Sequence, residues 1–273
     1  FYKGPLMQNH EPIWFNQKKK KKSKYKIFVA TPCHSEVSIH YAQSVLELQR
    51  LAMNKDIPIV FQMFKSSLVT QGRNLCVAGF LESDATHLLF IDSDIAFKAQ
   101  SAFNLLYANK DVISIPYPLK DMNWDKAIHM IKEGKIKTAD DLRLKGFYRY
   151  PMKVPSNDAI NVKDGVIEVT HSPTGFMMIK REVFDKMIKA YPNFNIKQIN
   201  IINGKPVETP NMWNFFDTLH DPETKTYMGE DFAFCKRWKD IGGQCHAWIL
   251  DQIIHVGEHQ YTGRFADELI LPE

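Results

Sequence analysis

Apolar positions follow two patterns along the first half of the chain, and these patterns predict strands and helices in turn. Short continuous apolar runs predict buried strands, and apolar residues repeated every three or four positions predict helices. The predicted strands are 26–30, 57–64, 87–91 and 112–115, and the predicted helices are 35–54, 72–81 and 99–108. Unalternating strands are typical of a sheet covered by helices on both faces. We therefore predict an α/β fold with a doubly wound, mostly parallel central sheet.

The pattern is looser in the second half of the chain. Residues 121–155 mix charged and aromatic residues without a sheet period, and 192–226 is rich in turn residues. Between and after these two segments, strands are predicted at 175–179 and 245–250, and helices at 181–190 and 229–241. A further regular segment is predicted at 165–169. Ser35 is predicted to cap the first helix of the chain.

Charge is concentrated near the N-terminus. The net charge of +4 arises from the unbroken lysine run Lys18–Lys22, and the remainder of the chain is about neutral. We interpret residues 1–24 as a solvated basic tail; the alternative is contact with an anionic membrane surface. Because no aromatic residues are interleaved with the lysines, the sequence does not indicate nucleic acid as a partner.

Cysteine spacing and hydropathy indicate the compartment in which the protein is expected. The four cysteines, Cys33, Cys76, Cys235 and Cys245, include no Cys-x-x-Cys pair, which predicts reduced thiols and a cytoplasmic protein. No apolar stretch approaches the roughly 18 residues needed to cross a bilayer, so no transmembrane segment is predicted. At 44% hydrophobic and 24% charged residues, the composition is that of a globular protein.

The segment with the clearest chemistry is Asp92-Ser93-Asp94, which directly follows the apolar run 87–91. Ligands of open α/β sheets bind at the carboxyl ends of the strands, where this motif is predicted to lie. Strand alternation is expected to point both carboxylates in the same direction. Two such oxygen ligands suit Mg²⁺ or Mn²⁺ held against a diphosphate. The alternative is a loop or helix cap, where Asp-x-Asp is common.

With its flanking segments, the motif resembles the GT-A class of glycosyltransferases, of the family 2 type, in which a DxD strand end faces a downstream Glu-Asp helix start. The resemblance covers most of the chain, from about residue 26 to residue 255. It rests on Asp92-Ser93-Asp94 and on the segments 71–74, 86–91, 173–181 and 229–238. It implies a nucleoside-diphosphate-sugar donor and a Mn²⁺ or Mg²⁺ ion.

The resemblance assigns roles to the residues of the motif. It implies that Asp94 is the principal metal ligand and that Asp92 is its partner, in contact with the ribose or a metal-bound water. His255 fits the third ligand by its order in the chain, although Asp251 and His259 are nearby.

Contacts to the donor are implied for residues of other segments. Arg73 is expected to approach the donor diphosphate; the alternative is a surface salt bridge. Glu36 or Lys65 is expected to add contacts to the base or ribose. Four further residues are expected to line the donor pocket: Thr31, Pro32, Ser93 and Gly175.

Acids at the start of the last helix are the candidates for acceptor chemistry. The resemblance implies that Asp231 is the general base of an inverting enzyme and that Glu230 holds the acceptor or the local structure. Alternatively, both acids simply stabilise the helix N-terminus. Aromatic residues of the long loop either stack on acceptor sugars or fix the loop to the core: Trp213, Phe215, Phe216 and Tyr227.

The predicted function is transfer of a sugar from a nucleoside-diphosphate-sugar to a glycan or other hydroxyl acceptor. On this view, residues 25–273 form one domain, with a nucleotide-sugar half (25–120), a variable excursion (121–165) and an acceptor half (166–273). A nucleotidyltransferase that makes nucleotide-sugars is an alternative, but the segment 30–35 lacks the glycine-rich loop usual in such enzymes. A non-catalytic nucleotide- or carbohydrate-binding protein is another.

Overall fold

The computed structural model describes residues 23–145, 148–155, 160–202, 204–220 and 222–258. The Lys18–Lys22 run and His259 lie outside these ranges, so the predictions made for them stay predictions. Among the described residues, no helix is both long enough and apolar enough to cross a membrane.

The elements alternate between strand and helix in the first half of the chain. The strands are β1 (Ile27–Cys33), β2 (Ile59–Lys65), β3 (His87–Ile91), β4 (Ile95–Phe97), β5 (Val112–Ser114), β6 (Val166–Val169), β7 (Phe176–Lys180), β8 (Ile199–Ile202), β9 (Lys205–Glu208), β10 (Leu219–His220), β11 (Tyr227–Met228), β12 (Cys245–Trp248) and β13 (Ile253–His255). The helices are α1 (Ile39–Asn54), α2 (Val69–Leu81), α3 (Gln100–Ala108), α4 (Trp124–Lys132), α5 (Ala139–Lys145), α6 (Arg181–Ala190) and α7 (Glu230–Asp240), with a 3₁₀ turn at Pro192–Phe194.

Seven strands form the central sheet, in the order β2-β1-β3-β7-β5-β12-β6. Strands β2, β1, β3, β5 and β12 run in one direction, and β7 and β6 run in the other. The predicted fold class, α/β with a mostly parallel sheet, is confirmed. Strand β7 is antiparallel and lies between β3 and β5, a reversal that apolar periodicity does not encode. Its register sets Phe176 opposite Ile91, which brings Gly175 beside Asp92.

The core has two parts, one on each face of the sheet. Alternate residues of β1 divide between them, since Phe28 belongs to one cluster and Val29 to the other. Side chains of α2, α6 and α7 join the first cluster, and those of α1 and α3 join the second. Helices therefore cover both faces, as the doubly wound prediction requires.

Two predicted helix starts are wrong by three or four residues. Helix α1 is capped by Ser38 rather than Ser35, because the Ser38 hydroxyl accepts the Tyr41 N–H at 3.0 Å. Helix α2 begins at Val69 rather than at residue 72, so Arg73 lies inside the helix and not at its start.

The long loop between α6 and α7 is fixed to the core by its aromatic residues. Phe215 and Phe216 are fully buried, and the Phe216 ring stacks on Phe234 with centroids 4.5 Å apart. Trp213 stacks on Phe215 at 5.7 Å. The expectation that acceptor sugars stack on Phe215 or Phe216 is therefore wrong, because neither ring is exposed. Tyr227, in contrast, is 68% exposed.

All four cysteines are free thiols, and Cys76, Cys235 and Cys245 are buried. The three buried cysteines fill space in the first core cluster, where they pack among apolar side chains.

Candidate active site

The Asp-Ser-Asp motif forms a turn between β3 and β4. The Ile95 N–H donates to the Asp92 carbonyl oxygen at 3.1 Å, which reverses the chain within the motif. Strand alternation therefore stops at Ile91, and the expectation that both carboxylates point in the same direction is wrong. The Asp92 carboxylate contacts Arg73, whereas the Asp94 carboxylate contacts Lys120 and His255.

Backbone hydrogen bonds hold the motif in place from three neighbouring segments. The Asp92 N–H donates to the Gly175 carbonyl at 2.9 Å, ahead of β7. The carbonyls of Ser93 and Asp94 accept from Ser38 and Val256, each at 2.8 Å. The motif is thus tied to the start of β7, the cap of α1 and the end of β13, so its carboxylates are presented from a fixed backbone.

Arg73 links the end of β3 to the start of α7. Its Nη1 and Nη2 donate to Asp92 Oδ1 and Oδ2 at 2.6 Å and 3.0 Å, and its Nε lies 3.6 Å from Glu230 Oε1. The side chain is only 3% exposed, so the alternative of a surface salt bridge is wrong. Burial lowers the pKa of Arg73, but the carboxylates of Asp92 and then Glu230 together outweigh burial and hold that pKa above its usual value. The guanidinium is therefore a fixed positive charge between two acids.

The pairing of β13 with β4 brings His255 beside Asp94, because His255 lies opposite Ile95. His255 Nε2 is 3.4 Å from Asp94 Oδ2, and Lys120 Nζ is 2.5 Å from the same oxygen. Burial alone would raise the pKa of Asp94, but the hydrogen bonds from His255 and Lys120 lower it to about 2. Asp94 is therefore ionised at neutral pH.

The chemistry of this pair fits a divalent cation. A carbonyl oxygen only accepts, so the 2.9 Å contact between His255 Nδ1 and the Pro118 carbonyl places a hydrogen on Nδ1. Nε2 is therefore the ring nitrogen that faces the Asp94 carboxylate, and without its hydrogen it would offer a lone pair to a cation held between the two side chains.

The other predicted protein ligand, Asp92, is engaged by Arg73. Over the described part of the chain, no group of three or more His, Cys, Asp or Glu side chains is arranged to hold a metal. Two protein ligands suffice where phosphate oxygens and waters supply the others, as is usual for Mg²⁺ bound with a nucleotide. The donor set thus fits a cation that arrives with a diphosphate better than one held by the protein alone.

Gly175 lies where a side chain would not fit. A Cβ at this position would meet the Tyr117 hydroxyl and lie 2.8 Å from Asp92 Oδ2. The Tyr117 ring in turn lies 5.0 Å from the His255 ring, between centroids. Burial, and then the Asp92 charge, raises the pKa of Tyr117, so its hydroxyl stays protonated.

Tyr117 and Lys120 were absent from the sequence-based candidates. Both follow β5, whose carboxyl end lies at the same edge of the sheet as that of β3. The rule that ligands bind at strand ends indicates the segment after β5, but it does not single out these two residues.

Asp231 lies in the first turn of α7, where its Oδ1 accepts the N–H of Phe232 at 2.7 Å. Burial, followed by the charge of Glu230, raises the pKa of Asp231 to about 6. A carboxylate with a pKa near neutrality is suited to accept a proton from a substrate. The helix N-terminus alone would shift the pKa in the opposite direction.

The residues expected around the nucleotide base differ in accessibility. Thr31 is fully buried, and its hydroxyl is 2.6 Å from the Tyr41 hydroxyl, so its side chain offers no surface to a ligand. Pro32 is half-buried, and Gly72 lies against it, where a Cβ would be 3.2 Å from the Pro32 Cβ. Glu36 and Lys65 are exposed.

Comparison with known proteins gives distant likenesses only. No protein-family model matches this sequence, and no curated protein matches it. A197 from STIV is similar in structure at 17% identity and a TM-score of 0.44, over 86% of each chain. A Drosophila β-1,4-galactosyltransferase 7 mutant, in complex with manganese, UDP-Gal and xylobiose, is 13% identical with a TM-score of 0.41, over 89% of this chain and 79% of that chain.

A third similar structure is 4-diphosphocytidyl-2C-methyl-D-erythritol synthase from Anaerococcus prevotii. It is 10% identical with a TM-score of 0.32, over 79% of this chain and 96% of that chain. At these identities and TM-scores, the likenesses carry no inference about activity. Function is therefore inferred from the residues of the site.

Proposed function

We propose that this protein is a metal-assisted glycosyltransferase that moves a sugar from a nucleoside-diphosphate-sugar to a hydroxyl group of an acceptor. The observation that carries the proposal is the Asp94–His255 pair, in which a carboxylate oxygen faces an imidazole nitrogen across 3.4 Å at the carboxyl edge of the sheet. Donor diphosphates of open α/β folds bind at this edge.

Asp94 and His255 would hold Mn²⁺ or Mg²⁺, and the ion, when bound, acts as a Lewis acid that neutralises charge on the departing diphosphate. Asp92 and Ser93 are proposed as donor contacts, with Arg73 fixing the Asp92 carboxylate by its paired hydrogen bonds. The lack of a side chain at Gly175 lets the Tyr117 hydroxyl and Asp92 lie against it beside the proposed donor position, and half-buried Pro32 is the base-side contact. Lys120 contacts the same Asp94 oxygen that the ion would use.

Asp231 is proposed as the general base for the acceptor. As the acceptor oxygen forms a bond to the anomeric carbon, the bond from that carbon to the diphosphate oxygen breaks, and the hydroxyl proton passes to an Asp231 carboxylate oxygen. The nucleoside diphosphate leaves with the bonding electron pair. Such a single displacement inverts the anomeric configuration. Glu230 supports this step, since its charge contributes to the raised pKa of Asp231.

A thermal-shift experiment tests the proposal without knowledge of the sugar or the acceptor. Nucleoside diphosphates with different bases are added to the protein with and without Mn²⁺, because a ligand that binds the native state raises the melting temperature. One diphosphate is expected to raise it only when Mn²⁺ is present. Asp94→Asn should abolish the metal-dependent part of this shift.

Asp240→Asn is the matched control, because Asp240 ends α7 in an exposed pair with Lys236 and should leave the shift intact. A protein that responds to no nucleoside diphosphate would contradict the proposal. A protein that binds one tightly, yet releases none from any nucleotide-sugar, would be a binding protein rather than a transferase.

A further inference from the structure

A large cleft opens beside the Asp94 group, and of the residues proposed for the donor site only Lys120 and His255 line it. The cavity measures about 1030 Å³, at the upper end of the roughly 300–1,000 Å³ range of small-molecule sites. Its walls come from three segments, the chain after β5, residues 148–152 and the chain from the end of β12 through β13. Residues 148–152, part of the segment 121–165 that we interpreted as a variable excursion, thus form one wall.

Exposed apolar side chains are concentrated in this cleft. Seven large apolar residues that line it are each more than a third exposed: Leu119, Met122, Trp124, Tyr150, Ile249, Leu250 and Ile254. Leu250 is 67% exposed and Ile254 is 57% exposed. Contiguous exposed apolar surface on a folded protein usually marks a binding site. Five of the seven are aliphatic, and aliphatic side chains offer no ring face for a sugar to stack on.

Three charged side chains of the cleft are already paired with protein groups. Asp121 Oδ2 lies 3.3 Å from Arg149 Nε, and Asp251 Oδ2 accepts from Asn104 Nδ2 at 2.8 Å. Lys120 is engaged by Asp94. A bound oligosaccharide needs hydrogen-bonding partners, which these side chains have committed elsewhere. Apart from the exposed side chains of Gln252 and Glu258, the surface that remains for a ligand is therefore mainly apolar.

One end of the cleft coincides with the proposed reaction site. Lys120 and His255 line the cavity, and both contact Asp94 Oδ2. A ligand with its apolar part in the cleft would consequently present its other end to the Asp94 group.

We propose that the acceptor is amphipathic, with a hydrocarbon portion that lies in this cleft and a hydroxyl-bearing head beside Asp94. The proposal rests on the proposed glycosyltransferase function for the role of the head group. The cleft itself predicts binding of the hydrocarbon portion independently of transfer.

Alkyl glucosides that differ only in chain length test the inference. Methyl, hexyl and octyl glucoside, each below its micellar concentration, are titrated into the full chain by calorimetry in the absence of any donor. Burial of each methylene should tighten binding by about two- to fourfold, so octyl glucoside should bind far more tightly than methyl glucoside. Leu250→Ser and Ile254→Ser should each weaken octyl binding several-fold and leave methyl binding unchanged.

Ile39→Ser is the matched control, because Ile39 is an exposed apolar residue of α1 that does not line the cleft. Equal affinity for the methyl and octyl compounds, or equal octyl affinity in Leu250→Ser and Ile39→Ser, would overturn the inference. So would tighter binding of an unmodified oligosaccharide than of octyl glucoside. Chain-length-dependent binding without nucleotide-sugar turnover would instead retain the cleft assignment and contradict the proposed transferase.

Discussion

Arg73 holds Asp92 by two parallel hydrogen bonds, Nη1 to Oδ1 at 2.6 Å and Nη2 to Oδ2 at 3.0 Å. The first aspartate of the motif is therefore fixed by a cation of the protein, and only the second, Asp94, faces a histidine. The two carboxylates therefore have different partners, although only one serine separates them in sequence.

The Arg73–Asp92 pair is expected to matter for folding as well as for the site. Arg73→Ala leaves the Asp92 carboxylate without its partner beside the protein core, which should lower the free energy of unfolding by about 3 kcal/mol. Urea denaturation measures this loss. Arg50→Ala, on the exposed face of α1, is the control and should change stability by less than about 0.5 kcal/mol. Equal losses in the two variants would show that the buried pair is not a stabilising link.

Turnover should depend on the ionisation of Asp231. Because the base must be ionised and its pKa is raised to about 6, the rate should fall as pH drops below 6 and level off above it. Asp231→Asn should reduce turnover by about 10²–10⁴-fold and leave donor affinity unchanged. Glu230→Gln removes a charge that raises this pKa, so it should move the midpoint of the profile to lower pH. A profile flat from pH 5 to pH 8 would exclude Asp231 as the base.

Lys120 should compete with a divalent cation for Asp94. Its ammonium group lies 2.5 Å from the oxygen that the ion would use, so Lys120→Ala should tighten Mn²⁺ binding in the absence of nucleotide. Electron paramagnetic resonance of free Mn²⁺ measures the affinity directly. Lys189→Ala, an exposed lysine of α6, should have no effect. Weaker Mn²⁺ binding in Lys120→Ala would mean that Lys120 supports the ion rather than competing with it.

Apolar periodicity predicted the strands of the sheet well, because a fully buried strand such as β3 is apolar throughout its length. It predicted a strand at 175–179 but not its antiparallel direction. A strand buried on both faces has the same apolar composition whichever way it runs. The short pair β4–β13 was also missed, as three-residue strands carry too little pattern.

Candidate site residues could be identified from the sequence where they form a short motif of neighbouring residues. Asp92, Asp94, Glu230 and Asp231 stand out as acids next to a strand end or a helix start. Their partners are distant in sequence: Arg73 contacts both Asp92 and Glu230, and Lys120 reaches Asp94 from the loop after β5. Such contacts depend on tertiary packing, so neither the buried state of Arg73 nor the role of Lys120 follows from spacing.

The central claim is that Asp94 holds a divalent cation against a donor diphosphate. The most direct test measures release of nucleoside diphosphate from a panel of nucleotide-sugars by the protein, Asp94→Asn and Asp240→Asn, each with Mn²⁺ and with a chelator. The account predicts Mn²⁺-dependent release by the unmodified protein and by Asp240→Asn, with loss in Asp94→Asn while its circular dichroism spectrum is unchanged. Full release by Asp94→Asn, or release that is insensitive to the chelator, would contradict it.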